Sequence, residues 1–406
     1  MNYYKNVEIA KLYNVSRSAV GKWVEAARKG KLDLQMVDES GKSYIAATSK
    51  NLAIIEAMVR DRKKYFNKLS HKIIKPKPEF YELFAPEQIL DIISNLEISG
   101  EIPRQYNYFG KGADIWDEYI QRRLAEGDKK SATFAAPLQL AMNRSYLDNV
   151  LGKYERINII DVGPGNALPV KGLLTQLLSR GKLGRYLAID ISPEMLVVAQ
   201  RNIKKWFGNR VAFEADVRDI THERFADQLA RTSLSSPSEE VNLILFLGGT
   251  LGNLFWPDEA LRVFYHSIGL NDFFVYNLKL DNDKSRQTFD FAAKPSEDFR
   301  KSHFAFDLLD FDESCYEAET GYDPERGERF ARVRINVALS IVFDLPGGQK
   351  QVDFEKDETI MLWRYKHQTA DNVMDQFKAN GFDILQASMT EDREFLMLIC
   401  SVAAHG

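Results

Sequence analysis

The chain has very little cysteine. Its 406 residues include two, Cys315 and Cys400, and neither belongs to a CxxC pair. A disulfide framework and zinc knuckles are thereby excluded. The six histidines, at 71, 222, 266, 303, 367 and 405, show no HExxH or other paired spacing, so no metal site is expected. No apolar run approaches the length of a membrane span. The opening MNYYKNVEIAKLYNV carries Lys and Glu where a secretory signal needs an apolar core. The expected setting is cytoplasmic and reducing, without a membrane partner.

What is present is unevenly charged. Net charge is −4, yet residues 1–75 hold 16 Lys+Arg against 7 Asp+Glu, about +9, which leaves about −13 for the remainder. A basic head on an acidic body implies different partners for each. In the head, NVEIAKLYNVSRSAVGKWVEAARK places Ile9, Ala10 and Tyr13, then Ala19, Val20, Trp23 and Val24, as the facing sides of two short helices, with Ser16 as the cap of the second. Arg17, Ser18 and Lys22 then face outward on that second helix. Two alternating runs around DESGK predict a hairpin, and a further helix follows from Asn51 with Arg60, Arg62, Lys63, Lys64 and Lys68 on one face. Residues 1–75 resemble a winged helix-turn-helix, a fold whose second helix enters a major groove, so duplex DNA is an expected partner through Arg17, Ser18 and Lys22. KIIKPKPEF, with two prolines among lysines, reads as the linker to the body.

From Ile157 strand and helix signals alternate. INIIDV, GRYLAID, RVAFEAD and VNLILFLGG read as strands, with ALPVKGLLTQLLSRG and SPEMLVVAQRNIKKWF as helices between the first three. In the second helix Ser192 is the cap and Pro193 the first helical residue. Such alternation specifies a parallel sheet covered by helices on both faces, with ligands beyond the carboxyl ends of the strands. Gly163 and Gly165 follow the first strand, where the backbone turns tightly and lies close to a ligand. Asp190 ends the second strand, placed for the hydroxyls of a ribose. Asp216 ends the third, placed for an adenine edge. Asp161 and Asn166 flank the glycines, Val217 follows Asp216, and Gly248 opens the loop after the fourth strand; these eight residues are the expected cofactor contacts. The third glycine of the dinucleotide fingerprint is missing, since Leu168 stands there. Asp-x-Gly-x-Gly with an acid after strand two is instead the pattern of class I S-adenosylmethionine (SAM) methyltransferases.

The loop after strand four, FLGGTLGNLFWPDEA, lacks the Asp/Asn-Pro-Pro-Tyr/Phe of exocyclic-amine DNA methyltransferases. The Pro-Cys nucleophile of cytosine-C5 enzymes is also absent, since Ser314 precedes Cys315 and Ile399 precedes Cys400. FLGGTLGN, together with PRQYNYFGKGADIWDEYI, GYDPERGERFARVRI and FEKDETIML, resembles the histidine-specific SAM-dependent methyltransferase family from about Pro103 onward. The resemblance implies a class I, Rossmann-like α/β sheet with an inserted α+β substrate domain. It implies SAM on Gly163, Asp190 and Asp216, and Asn253 on an amino acid's α-amino and carboxylate groups. Tyr108 and Trp116 would line the acceptor pocket, Phe289 would replace a pocket tyrosine, and Trp363 and Tyr365 would fall where family members hold the imidazole with Glu and Ser. An imidazole facing Trp in place of a carboxylate loses a charge-assisted hydrogen bond, on the order of 1.5 to 3 kcal/mol.

The expected domains are a winged helix-turn-helix over 1–75, a linker and the first part of the substrate region over 76–156, the SAM-binding core over 157–280, the substrate insert over 281–364, and completion of the core over 365–406. The expected function is a SAM-dependent N-methyltransferase for a small amine, an amino acid other than histidine or a natural-product amine. No residue is singled out as a catalytic base. The alternative is a DNA-binding regulator whose methyltransferase-like body senses SAM or another ligand. A homodimer follows if the head reads two half-sites.

Overall fold

A computed structural model describes residues 3–13, 15, 17–39, 42–66, 72–128, 130–233, 239–286 and 303–403. They form two compact units. One comprises Met1–Pro103, Lys294–Thr320 and Phe330–Trp363; the other comprises Arg104–Ala293, Gly321–Arg329 and Arg364–Gly406. The stretch 281–364 contributes to both.

The second unit is built on seven strands: β1 (Arg156–Val162), β2 (Leu183–Asp190), β3 (Phe213–Val217), β4 (Glu240–Phe246), β5 (Phe273–Lys279), β6 (Phe382–Met389) and β7 (Phe395–Val402). Their spatial order is β6-β7-β5-β4-β1-β2-β3. β1 to β5 run parallel, and β7 enters antiparallel between β5 and β6. β1 and β4 are buried along nearly their whole length because helices cover both faces. Alternation assigns each side chain to a face. Ile157, Ile159, Leu243 and Met397 join Leu140, Leu174, Leu196 and Ile203 of the helices on one side. Ile160, Val162, Ile244 and Leu398 join Leu261, Phe264, Val373 and Phe377 on the other. The strand order reverses between β1 and β4, and a crevice for a ligand opens at such a reversal, beyond the strand ends.

Between β1 and β2 the apolar spacing predicts a helix from Ala167, but the helix spans Lys171–Ser179. The delay has a local cause. Asn166 Oδ1 accepts the Leu168 amide at 3.1 Å, and Ala167 adopts φ 58°. A side chain that bonds the nearby backbone in this way competes with the helical turn. The next helix, Pro193–Phe207, begins as expected: Ser192 caps it by accepting the Met195 amide, and Pro193 is its first residue.

The first unit opens with strand Tyr3–Tyr4, helices Asn6–Tyr13 and Arg17–Arg28, strands Met36–Glu39 and Lys42–Ala46, and helix Ser49–Phe66. The three strands form one antiparallel sheet, and Ile9, Ala10, Val20, Val24, Ile45 and Ile55 form the core beneath it. The cap expected at Ser16 and the basic side chains expected from Arg60 to Lys68 lie outside the described residues. Both short helices run against helix Pro86–Ser99 of the same unit. Lys72–Ile74, read as linker, is a strand: it pairs parallel with Leu339–Leu345, which pairs antiparallel with Gly348–Phe354. The KII triplet supplies β-branched residues that the prolines following it do not disturb. Strands Tyr316–Asp323, Glu328–Ile335 and Thr359–Lys366 make a further sheet. No helix among the described residues is long and apolar enough to cross a membrane.

Candidate cofactor and acceptor site

β1 runs into Gly163-Pro164-Gly165-Asn166, where the backbone takes φ 64° at Gly163 and 54° at Gly165. The Gly163 amide donates to Ile189 O of the neighbouring strand at 2.8 Å. Gly165 is required twice, by its φ and by its neighbour, since a Cβ there would lie 2.5 Å from Trp116 Cη2. Asp161 is only 2% exposed. Tyr186 Oη donates to its Oδ2 at 2.7 Å. Burial raises the Asp161 pKa to about 7, with the nearby Asp190 adding like charge and the Tyr186 bond working against both.

At the end of β2, Asp190 accepts the Ser192 amide at 3.0 Å. Desolvation lifts its pKa to about 7, opposed by the Ser192 and Ile191 amides and aided by Asp219. Asp190 stands in register with Val217 of β3, and Val217 is 56% exposed. A recessed carboxyl beside an uncovered apolar side chain suits an adenosine, whose ribose hydroxyls can donate to Asp190 while its purine covers Val217. Asp216 is engaged by Arg218 Nε at 2.9 Å. Arg218 also forks onto Asp227 at 2.7 and 3.1 Å. Asn166 is fully buried and turned inward, its Nδ2 donating to Asp117 Oδ1 at 2.9 Å.

The loop after β4 begins at Gly248, φ 87°, with Gly249 at 74°. Asn277 of β5 sets this start: its Oδ1 accepts the Gly248 amide at 2.8 Å, and its Nδ2 donates to Ala132 O and Gln139 Oε1, each at 2.9 Å. The loop ends in the short helix Thr250–Asn253, which places Asn253 at its last position. Tyr365 lies over this loop. A Cβ on Gly249 would overlap its hydroxyl, and one on Gly252 would sit 3.0 Å from its Cζ. The Tyr365 hydroxyl, beside the Lys279 backbone, is buried and makes no hydrogen bond of acceptable geometry. Burial pushes its pKa to about 12. His367 stacks near it, ring centroids 4.6 Å apart. Burial, with Arg329 adding to it, pushes His367 down to about 3, so neither ring is charged at neutral pH.

Tyr108 and Trp116 meet edge to face at 6.2 Å. Arg104 Nε donates to Tyr108 Oη at 3.1 Å, and Ser192 Oγ donates to Tyr108 O at 2.7 Å. The second unit thus contains Tyr108, Trp116, Asn253 and Tyr365, whereas Trp363 belongs to the first. Phe289 lies outside the described residues. In the head, Arg17 and Lys22 are exposed on helix Arg17–Arg28, and Lys22 Nζ is 3.9 Å from Glu355 of the same unit. The Ser18 side chain is outside the described residues. Among the described residues no three His, Cys, Asp or Glu side chains gather as a metal ion would need.

A family model described as "Histidine-specific methyltransferase, SAM-dependent" matches residues 139–402. The chain belongs to this family. As a SAM-dependent methyltransferase it uses a cofactor that supplies a methyl group on a sulfonium. Gly163, Gly165, Asp190 and Val217 offer the backbone, carboxyl and apolar surface that SAM needs, and the sheet order is that of class I SAM methyltransferases. Among solved structures, a SAM-dependent methyltransferase from Clostridium acetobutylicum is similar at 11% identity over 71% of this chain and 98% of its own, TM-score 0.40. The CcbJ methyltransferase of Streptomyces caelestis shares 12% identity over 72% and 96%, TM-score 0.40. The 1,6-didemethyltoxoflavin-N1-methyltransferase of Burkholderia thailandensis shares 11% over 79% and 92%, TM-score 0.34. No curated protein matches the chain.

Two residues packed behind this candidate site were not singled out from the sequence: Asp117, within the PRQYNYFGKGADIWDEYI segment, and Asn277. Their signal is a polar side chain inside an apolar pattern: Asp117 shares a helix face with Ala113 and Ile120, all three buried, and Asn277 interrupts FFVYNLK.

Proposed function

We propose that the enzyme methylates the nitrogen of a small amine, an amino acid other than histidine or a natural-product amine. The observation that carries this reading is Tyr365. Its uncharged ring fills the space over Gly249 and Gly252, at the position where the family resemblance puts imidazole recognition, and its hydroxyl is buried beside the Lys279 backbone. Trp363, at the other imidazole position, is also uncharged. An acceptor imidazole would meet no carboxylate from these two residues.

Methyl transfer from a sulfonium to nitrogen is an in-line displacement, so the protein's main work is alignment and exclusion of water. The nitrogen must present its lone pair and therefore arrive as the neutral amine. Asp190, Gly163, Gly165 and Val217 would hold the cofactor, with Asp161 and Asn166 fixing the loop from behind and Asp216 and Gly248 bounding the site. Asn253, Tyr108 and Trp116 would enclose the acceptor. Isotopically labelled SAM, offered together with a pool of amino acids and small amines and with duplex DNA, tests the reading. Label in a small amine other than histidine supports it. Label in histidine or DNA alone, or in nothing while S-adenosylhomocysteine (SAH) still binds, overturns it.

A second reading gives residues 1–75 a role in bringing the enzyme, or a SAM-sensing regulator, to duplex DNA. Their charge of about +9 favours it, while the proximity of Lys22 to Glu355 and the run of both helices against Pro86–Ser99 weigh against a groove-reading helix. Affinity for duplex DNA that falls steeply with salt would support it, and a flat salt dependence would end it.

A further inference from the structure

Helix Lys111–Ala125 carries more than an aromatic wall. Asp117, 8% exposed, uses both carboxylate oxygens: Oδ1 accepts from Asn166 Nδ2 at 2.9 Å, and Oδ2 accepts from Arg201 at 3.0 Å. Asn166 in turn accepts the Leu168 amide on its side-chain oxygen at 3.1 Å and receives Asn202 Nδ2 on its backbone oxygen at 3.1 Å. The result is a continuous chain, Arg201–Asp117–Asn166–Leu168, that ends on the backbone of the glycine loop. Trp116, the residue before Asp117, covers Gly165 so closely that no Cβ fits.

This loop has a reason to need a clamp. Its backbone has positive φ at Gly163, Gly165 and Ala167, and Ala167 pays no less than other L-residues for that conformation, which persists only where the surroundings over-determine it. Asn166 sits between the two positive-φ positions 165 and 167, and its amide orientation is set from one side by Leu168 and from the other by Asp117. Without Asp117, Asn166 Nδ2 would be a buried donor lacking its acceptor, and the amide would be able to turn away from Leu168.

We propose that Asp117 is a positioning residue for SAM: acting through Asn166 it holds the Gly163–Ala167 backbone in its cofactor-accepting form. A carboxylate is suited to this position because one group must accept from three donors at once, the side-chain amides of Asn166 and Gln121 and a guanidinium.

The test is calorimetric titration of the full-length protein with SAH, with thermal melting of each variant alongside. Asp117→Ala and Asn166→Ala are each expected to weaken SAH binding about tenfold or more. Asp114→Ala, which removes only the other carboxylate near Arg201, at 3.3 Å, is expected to leave SAH affinity unchanged. The decisive variant is the exchange D117N/N166D. In it Asn at 117 can donate to Asp at 166 and accept from Arg201, while Asp at 166 accepts the Leu168 amide, so each bond of the chain keeps a donor and an acceptor; only the longer contact from Gln121 Nε2, at 3.4 Å, loses its acceptor. Recovery of SAH affinity in the exchange to within about threefold of the natural protein is the expected result. Two results would overturn the proposal: Asp117→Ala that melts normally and binds SAH as the natural protein does, or an exchange variant that folds yet binds no better than the single variants. If Asp117→Ala does not fold, the exchange still decides.

Discussion

The two ends of the proposed site are built differently. At the proposed cofactor end the three acids each lie beside a polar group: Asp161 accepts from Tyr186, Asp190 accepts the Ser192 amide, and Asp216 is ion-paired with Arg218. At the proposed acceptor end the residue over the loop is a tyrosine whose hydroxyl is buried beside the Lys279 backbone, next to a histidine kept neutral by burial. A ligand common to a whole family of enzymes is met by groups already oriented, which lowers the reorganisation needed on binding. The proposed acceptor end instead presents uncharged rings, Tyr365 and His367, over the loop.

The contrast can be broken most severely at Gly165. Replacement by Val puts a branched side chain into Trp116 at a backbone angle it does not tolerate. SAH binding is expected to fall more than a hundredfold, at least about 2.7 kcal/mol, measured by calorimetry. An affinity within threefold of the natural protein would show that the loop yields far more readily than its contacts imply.

Acidity gives the next effect. On the proposed reading Asp190 accepts two ribose hydroxyls, which needs its ionised form, and burial lifts its pKa to about 7. SAH affinity should therefore fall about tenfold as pH drops from 8 to 6, with Asp190→Asn binding weakly at both values; titrations across that range check it. Stability runs in the opposite sense. Both Asp161 and Asp190 have folded values raised above the ordinary 3.8, so their contribution is fully present below about pH 4 and is lost as pH rises towards 7. Melting of the cofactor-free protein, compared with Asp190→Asn over pH 4 to 8, reads that loss directly.

At the acceptor end the comparison predicts a separation of properties. Tyr365→Phe removes a buried hydroxyl whose neighbour is the Lys279 backbone and should change stability by no more than about 1 kcal/mol. SAH affinity should stay unchanged while the rate of methyl transfer to the acceptor falls about tenfold. A larger loss of stability, or weaker SAH binding, would place Tyr365 with the cofactor end instead. The smallest effect belongs to the head. Lys22→Ala loses a solvent-exposed ion pair at 3.9 Å and should move the melting temperature by less than about 2 °C, without changing SAH binding.

The strand-end positions of Gly163, Asp190 and Asp216 were readable from sequence. A run such as INIIDV fixes the strand, and the strand fixes where its last carboxylate or first glycine emerges. Asp117 was not readable as a partner of Asn166: the two are brought together only by tertiary packing of helix Lys111–Ala125 on the loop. The late start of helix Lys171–Ser179 escaped for a related reason, since apolar spacing reports which face is buried and is blind to an asparagine that bonds the backbone two residues on. Lys72–Ile74 read as linker because its partner strand, Leu339–Leu345, is remote in sequence. Tyr365 was placed by family resemblance alone; its contact with Gly249 and Gly252 follows from the return of the chain at Thr359–Lys366, which no local pattern announces.

The insertion of β7 between β5 and β6 has a consequence for how the enzyme is made. β7 is Phe395–Val402 and almost entirely buried, and β5 pairs with β4 on one edge and with β7 on the other. During synthesis the edge of β5 therefore stands open from the moment it leaves the ribosome until more than a hundred further residues have followed. An unpaired apolar strand edge is a template for wrong pairing. A chain that ends before Phe395 would leave that edge of β5 without its partner strand.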